Sequence, residues 1–133
     1  MSVDWVRDIA EMHQKYGVHE WIKNNPEKLE QLLHFRVAFL KEEFDETFKA
    51  TGEKDAEEIV DGLIDLCVVA IGTLDVMGID ADEAWYNVHK ANMAKEVGVK
   101  ESRPNPLGLP DLIKPEDWKA PDHTGNHGLL VNL

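Results

Sequence analysis

Acidic residues occupy unusual positions in a stretch of the chain that otherwise favours an apolar helix. On a helical wheel with 100° per residue, Glu43 and Glu46 fall in line with apolar residues such as Phe35 and Phe39. Glu42 lies at the border of this apolar side, one turn before Glu46. The pattern therefore predicts that two or three carboxylates point toward the interior of the protein.

The next helix repeats this placement. Glu58, Asp61 and Asp65 follow one another at spacings of three and four and form a narrow stripe on a helix that is apolar nearly all round. Gly62 lies on the same stripe, where it would allow a close approach. Buried carboxylates repel one another and need cations, and few basic side chains are nearby. We therefore expect Mg²⁺, with Mn²⁺ as a substitute, because Mg²⁺ takes oxygen ligands and also accepts water and phosphate.

Each acid taken alone has an ordinary explanation. A charged run such as residues 41–46 usually forms a solvated helix face, and Glu58 could belong to a capping box with Asp55. Asp61 and Asp65 could pair with Arg36 or with a lysine. The five inward acids taken together nevertheless favour a metal site.

A third helix adds polar groups of another kind. Asn92 and Lys95 lie three residues apart, inside the apolar arc of a helix predicted from about Asp80 to Val97. An inward lysine and asparagine near inward carboxylates indicate a phosphate-bearing ligand that is bridged to metal.

The elements that must position these residues are helical. No stretch alternates apolar and polar residues over the length of a strand, so the predicted fold class is all-α, of the four-helix-bundle type. Five of the six prolines follow Gly98, which predicts a helical domain over residues 1–97 and an irregular, Pro-rich tail over residues 98–133 that packs on it. The predicted helices run over about 2–16, 19–24, 25–51, 55–77 and 80–97, with Ser2, Asn25, Asp55 and Asp80 as N-caps and Gly17, Gly52 and Gly78 as stops.

Composition excludes several classes of function. The chain of 133 residues has 14 Lys and Arg against 26 Asp and Glu, a net charge of −12, which argues against binding a nucleic-acid polymer. Cys67 is the single cysteine, so a disulfide framework is excluded.

The longest apolar run, residues 66–71, is too short to span a membrane, and no signal peptide is visible, so we expect a cytoplasmic protein. The nearly all-apolar central helix predicts a homodimer or homotetramer.

Three motifs together resemble a known superfamily. Glu42-Glu43-x-x-Glu46 followed by Glu58-x-x-Asp61 resembles the metal motif of the all-α, MazG-like nucleoside triphosphate pyrophosphohydrolases. The segment from Val88 to Lys95 is similar to the third motif of the phosphoribosyl-ATP pyrophosphohydrolase-like branch. Residues 12–17 also resemble the N-terminal aromatic-glycine element of that branch.

The resemblance implies an activity and a role for each residue. The expected reaction cleaves a canonical or modified (d)NTP between the α- and β-phosphates, with phosphoribosyl-ATP of histidine biosynthesis as the alternative substrate. Mg²⁺ would be held by Glu43, Glu46, Glu58 and Asp61. Glu42 would act as the general base, Asp65 would orient the metal ligands, and Asn92 and Lys95 would bind phosphate oxygens.

Other classes of protein fit less well. A di-iron carboxylate bundle needs Glu-x-x-His pairs, and no Glu in this chain has a His three residues later. A helical protein that binds a basic partner would carry its acids outward, contrary to the wheels. An EF-hand is disfavoured because residues 80–82 lack the downstream Gly and Glu spacing. The preferred base and the choice between dimer and tetramer stay open at this stage.

Overall fold

Helices make up most of the structure, a computed structural model that describes residues 3–103 and 105–133. The all-α prediction is confirmed. The helices are α1 (Trp5–Lys15), α2 (Val18–Asn24), α3 (Leu29–Glu53), α4 (Ala56–Val76) and α5 (Ala81–Met93), and the short 3-10 helices are Pro26–Lys28 and Gly128–Asn132. The two-residue strands β1 (Glu96–Val97) and β2 (Leu112–Ile113) pair antiparallel, with Glu96 opposite Ile113.

Side-chain caps fix the first residues of two helices. The Asp4 carboxylate accepts a hydrogen bond of 3.0 Å from the Arg7 N–H at the start of α1, whereas the predicted cap, Ser2, lies outside the described residues. Asp55 accepts a bond of 3.2 Å from the Glu58 N–H, as predicted for α4. These local contacts determine where the chain enters each helix.

The long helix α3 differs from its prediction at both ends. Pro26 opens a 3-10 turn, and the Asn25 side chain donates to the Trp21 carbonyl instead of capping the helix. At the other end the helix continues through Gly52 to Glu53 and stops at Lys54, whose φ is +56°. The N–H of Asp55 bonds to the Ala50 carbonyl and that of Lys54 to Thr51, which are the two bonds of a Schellman motif.

The chain forms two compact units, Met1–Ala81 with Gly125–Leu133, and Asp82–Thr124. The boundary between these units therefore differs from the predicted boundary after Val97, which rested on the change in composition. In the first unit α4 packs against both α3 and α1, and Val69, Val76 and Met77 are buried. No single helix in the described part of the chain is long and apolar enough to cross a membrane.

The C-terminal segment of the first unit is bound to the end of α4. The Leu129 N–H donates to the Met77 carbonyl at 2.7 Å. The buried Asn126 accepts from the Asp80 N–H and donates to the Asp80 carbonyl, both at 2.8 Å. Gly128 has a φ of +53°, and a Cβ at this position would overlap the Met77 carbonyl oxygen. This part of the chain is therefore held by specific backbone contacts.

Helix α5, which carries Asn92, is shorter than predicted. Helix α5 ends at Met93, four residues before the predicted end, because residues 96 and 97 pair with β2. In the second unit Trp118 donates its indole N–H to the Ala91 carbonyl at 2.7 Å. Asn87 donates to the Asp122 carbonyl at 3.2 Å. Part of the proline-rich region thus packs on α5.

Candidate active site

Helices α3 and α4 are in close contact where Thr47 faces Gly62. A Cβ added to Gly62 would overlap Thr47 Oγ1 and lie 3.1 Å from Thr47 Cβ. The Thr47 hydroxyl donates to the Glu43 carbonyl at 2.8 Å, which fixes its rotamer. The glycine predicted to allow a close approach therefore allows the approach of α3 itself. This contact places the acidic stripes of the two helices side by side.

The electrostatics of Glu43 show that carboxylates from both helices gather around it. Its pKa is raised above the ordinary value, first by burial and then by the negative charges of four neighbours, Glu46, Asp65, Glu42 and Asp61. Two of these neighbours lie on α3 and two lie on α4. The structure therefore brings four of the predicted acids within electrostatic range of Glu43, and these five residues are called the carboxylate cluster below.

The predicted burial of this cluster is wrong for the single chain. Glu43 and Asp65 are half-buried, whereas Glu42, Glu46, Glu58 and Asp61 are exposed. The apolar side of α3 that was expected to form the core is itself uncovered, since Phe35 is 66% and Phe48 is 69% exposed. Phe35 lies on the same face of α3 as Glu43 and Glu46, as the wheel predicts, but the chain does not enclose that face.

No basic side chain neutralises the acids in the described ranges 3–103 and 105–133. None of the six carboxylates lies within 4 Å of a Lys, Arg or His nitrogen. Arg36, which could have paired with Asp61 or Asp65, instead donates to the Val69 carbonyl at 3.0 Å and to Thr73 Oγ1 at 3.2 Å. A cluster of oxygen donors without a cation partner suits a hard divalent ion such as Mg²⁺.

Glu58 stands apart from the other acids. Its charge is not among those that raise the pKa of Glu43. The capping explanation accounts only for its backbone, because the N–H of Asp55 bonds to the Ala50 carbonyl and not to the Glu58 side chain. The Glu58 carboxylate in the first turn of α4 is exposed, so it is accessible to a ligand.

The two predicted phosphate-binding residues belong to the second unit. Asn92 lies in the last turn of α5 and is exposed. Lys95 lies beyond the helix, so the wheel that placed both residues on one helical face does not apply to it. Its ammonium group lies 5.5 Å from the centre of the Trp118 ring, and Lys114 lies 4.9 Å from the same centre.

The sequence analysis missed a second polar cluster in the first unit. His13 Nδ1 and His19 Nε2 lie 2.6 and 2.7 Å from the same oxygen, Oδ2 of Asp75. Their sequence separations of 62 and 56 residues explain why no local motif revealed them. The available signal was Asp75 itself, the one charged residue in the second half of α4, residues 66–76.

The protein is thus all-α, and its packed helices α3 and α4 carry a group of neighbouring carboxylates. Residues 12–92 match the family model described as phosphoribosyl-ATP pyrophosphohydrolase, so the chain belongs to this family. No curated protein matches the sequence significantly. The family indicates a pyrophosphohydrolase. The matched segment contains the six acids and Asn92, and Lys95 lies just beyond it.

Proposed function

We propose that this protein is a Mg²⁺-dependent pyrophosphohydrolase that adds water across the bond between the α- and β-phosphates of a (d)NTP. The products would be a nucleoside monophosphate and pyrophosphate. The observation that carries the proposal is the carboxylate cluster around Glu43, which has no basic partner within 4 Å among the described residues. Family membership supports the same class of reaction.

We propose a role for each acid. Glu43, Glu46, Glu58 and Asp61 would hold Mg²⁺, and Asp65, half-buried on α4, would orient them. When bound, Mg²⁺ would supply positive charge to the phosphates and acidify water. Glu42 lies at the edge of the cluster and is exposed, so it would accept the proton of the attacking water. Asn92 and Lys95 would donate hydrogen bonds to phosphate oxygens.

The second candidate substrate is phosphoribosyl-ATP. The description of the matching family names this compound, which supports it at least as well as a simple (d)NTP. The same carboxylates would serve either substrate, because both contain a phosphoanhydride next to a nucleoside. Contacts to the base and to the sugar would decide between them.

A homo-oligomer, either a dimer or a tetramer, would cover the uncovered side of the α3 and α4 pair. Several large apolar side chains of these helices are at least 45% exposed: Phe35, Val37, Phe44, Phe48, Val60, Leu63 and Ile64. Exposed apolar surface of this kind is typical of protein interfaces. A second chain on this side would also bury the acids that the single chain leaves exposed.

We further propose a cytoplasmic location.

Pyrophosphate release from a nucleotide panel, with Mg²⁺ and with excess chelator, tests the function. The panel contains the canonical dNTPs and NTPs, modified nucleotides and phosphoribosyl-ATP. We expect turnover only with Mg²⁺ or Mn²⁺. Full activity in excess chelator would contradict the metal assignment, and a preference for phosphoribosyl-ATP would favour the second candidate.

Substitutions with a matched control locate the site. Glu46→Gln and Asp61→Asn keep the side-chain shape but remove a metal-binding charge, so we expect turnover to fall at least about 100-fold. Asp45→Asn is the control, because Asp45 lies on the same helix but binds Lys41 at 2.8 Å. Wild-type rates in both site variants would refute the assignment.

A further inference from the structure

Three helices direct one ligand atom each to a common point in the first unit. His13 comes from α1, His19 from α2 and Asp75 from the last turns of α4. The three atoms, His13 Nδ1, His19 Nε2 and an Asp75 carboxylate oxygen, all lie within 4.8 Å of one another. The two imidazole rings are nearly perpendicular, at 85°, with centres 6.0 Å apart.

The protonation of this cluster follows from its hydrogen bonds. Burial alone would raise the pKa of Asp75, but hydrogen bonds from His13 and His19 outweigh it and lower that pKa. Asp75 is therefore an ionised acceptor at neutral pH, and each facing ring nitrogen must carry a proton. Two protons thus occupy the space between two imidazoles and one carboxylate oxygen.

We propose that His13, His19 and Asp75 form a binding site for one divalent transition-metal ion of the zinc class. Imidazole nitrogen and carboxylate oxygen are both common zinc ligands, and the ion would replace the two shared protons. Ligand atoms about 2.0 Å from a tetrahedral ion lie about 3.3 Å apart. The present nitrogen-to-oxygen distances of 2.6 and 2.7 Å would therefore need to increase by about 0.6–0.7 Å.

Burial and packing favour a defined site with access to solvent. His13 is 5% exposed, and its Cε1 atom would lie 3.3 Å from a Cβ at Gly72, so its ring is held tightly. The His19 side chain is 39% exposed, which gives an ion a route to the site. Three protein ligands leave a fourth position for water.

The charge of Arg36 limits the affinity. Burial lowers the pKa of Arg36, and the negative charge of Asp75 offsets only part of this effect, so the guanidinium lies within electrostatic range of Asp75. A cation between the histidines would be repelled by this guanidinium. We therefore expect a dissociation constant of about 1–10 μM, weaker than that of structural zinc sites.

The metal class distinguishes this site from the acids around Glu43. Nitrogen ligands select zinc, cobalt or nickel, whereas a cluster of carboxylates selects Mg²⁺. An ion at this site would join α1 and α2 to the end of α4. Its effect would therefore be structural, and the site would fill independently of nucleotide hydrolysis.

Cobalt titration of the untagged, chelator-treated full chain tests the proposal. We expect visible absorption bands that saturate at one Co²⁺ per chain, displacement by one equivalent of Zn²⁺, and a higher thermal midpoint with Zn²⁺. Excess Mg²⁺ should not abolish the bands. Absence of saturable binding at 100 μM would overturn the proposal and leave the cluster a hydrogen-bonded network.

Variants assign the ion to these ligands. His19→Ala and His19→Gln alter the more exposed ligand, and His19→Gln keeps an N–H donor for Asp75; both should weaken binding at least about 10-fold. His34→Ala is the control, because His34 is an exposed histidine on α3. The double variant Glu46→Gln/Asp61→Asn should bind Co²⁺ as wild type does. Unchanged binding in both His19 variants, or loss in the double variant, would overturn the assignment.

Discussion

The contact between Gly62 and Thr47 should determine how α3 and α4 present their acids, and Gly62→Ala tests this directly. The new Cβ would overlap Thr47 Oγ1 and lie 3.1 Å from Thr47 Cβ. The bond from the Thr47 hydroxyl to the Glu43 carbonyl prevents an easy rotation away. The two helices must therefore separate at the level of the carboxylate cluster.

The magnitude follows from two opposing effects. Overpacking a tight contact costs about 1–3 kcal/mol, while replacing Gly by Ala inside a helix gains up to about 1 kcal/mol. Gly52→Ala is the matched control, because Gly52 is a helical glycine of α3, as Gly62 is of α4, and nothing lies within 4 Å of its added Cβ. Most of the gain in helix propensity is therefore common to the two variants. We therefore expect Gly62→Ala to be less stable than Gly52→Ala by about 1–3 kcal/mol.

Urea unfolding and pyrophosphate release provide the two measurements. With a slope of about 1–3 kcal/mol per molar urea, the expected difference moves the midpoint by about 1 M. Activity should fall in Gly62→Ala and persist in Gly52→Ala. Thr47→Ala/Gly62→Ala removes the overlapping oxygen and should recover part of the loss. Equal stability and activity of Gly62→Ala and Gly52→Ala would refute the reasoning.

Three further substitutions address other parts of the molecule. Lys95→Ala should weaken binding of a non-hydrolysable nucleotide about 10-fold in calorimetry without changing Mg²⁺ binding; unchanged nucleotide affinity would argue against its role. Gly128→Ala should lower the free energy of unfolding by at least about 1–2 kcal/mol, because φ is +53° and the Cβ would overlap the Met77 carbonyl; a wild-type thermal midpoint would contradict this. Phe48→Glu, at a position 69% exposed, should dissociate the proposed oligomer, which light scattering would detect as a lower mass; a wild-type mass near 15.1 kDa would show that the protein is a monomer.

Local sequence determined the helices and the placement of the acids along them. The cap at Asp55 and the stripe of Glu58, Asp61 and Asp65 depend on spacings of three and four residues, which a helix repeats at any position. The acids of these helices also form the motif by which the sequence resembles its superfamily, and the family match over residues 12–92 confirms that resemblance. These features could be predicted because each depends on residues within one or two helical turns.

Contacts between distant residues decided the rest. Helix α5 ends at Met93 because residues 96 and 97 pair with residues 112 and 113, and no local stop signal marks that end. The exposure of the acids depends on which apolar surfaces the chain covers, and a helical wheel gives only their direction. His13 and Asp75 meet across 62 residues. The periodicity of the sequence predicts which residues share a face of a helix. It does not predict which other part of the chain packs on that face, because that depends on contacts between residues far apart in sequence.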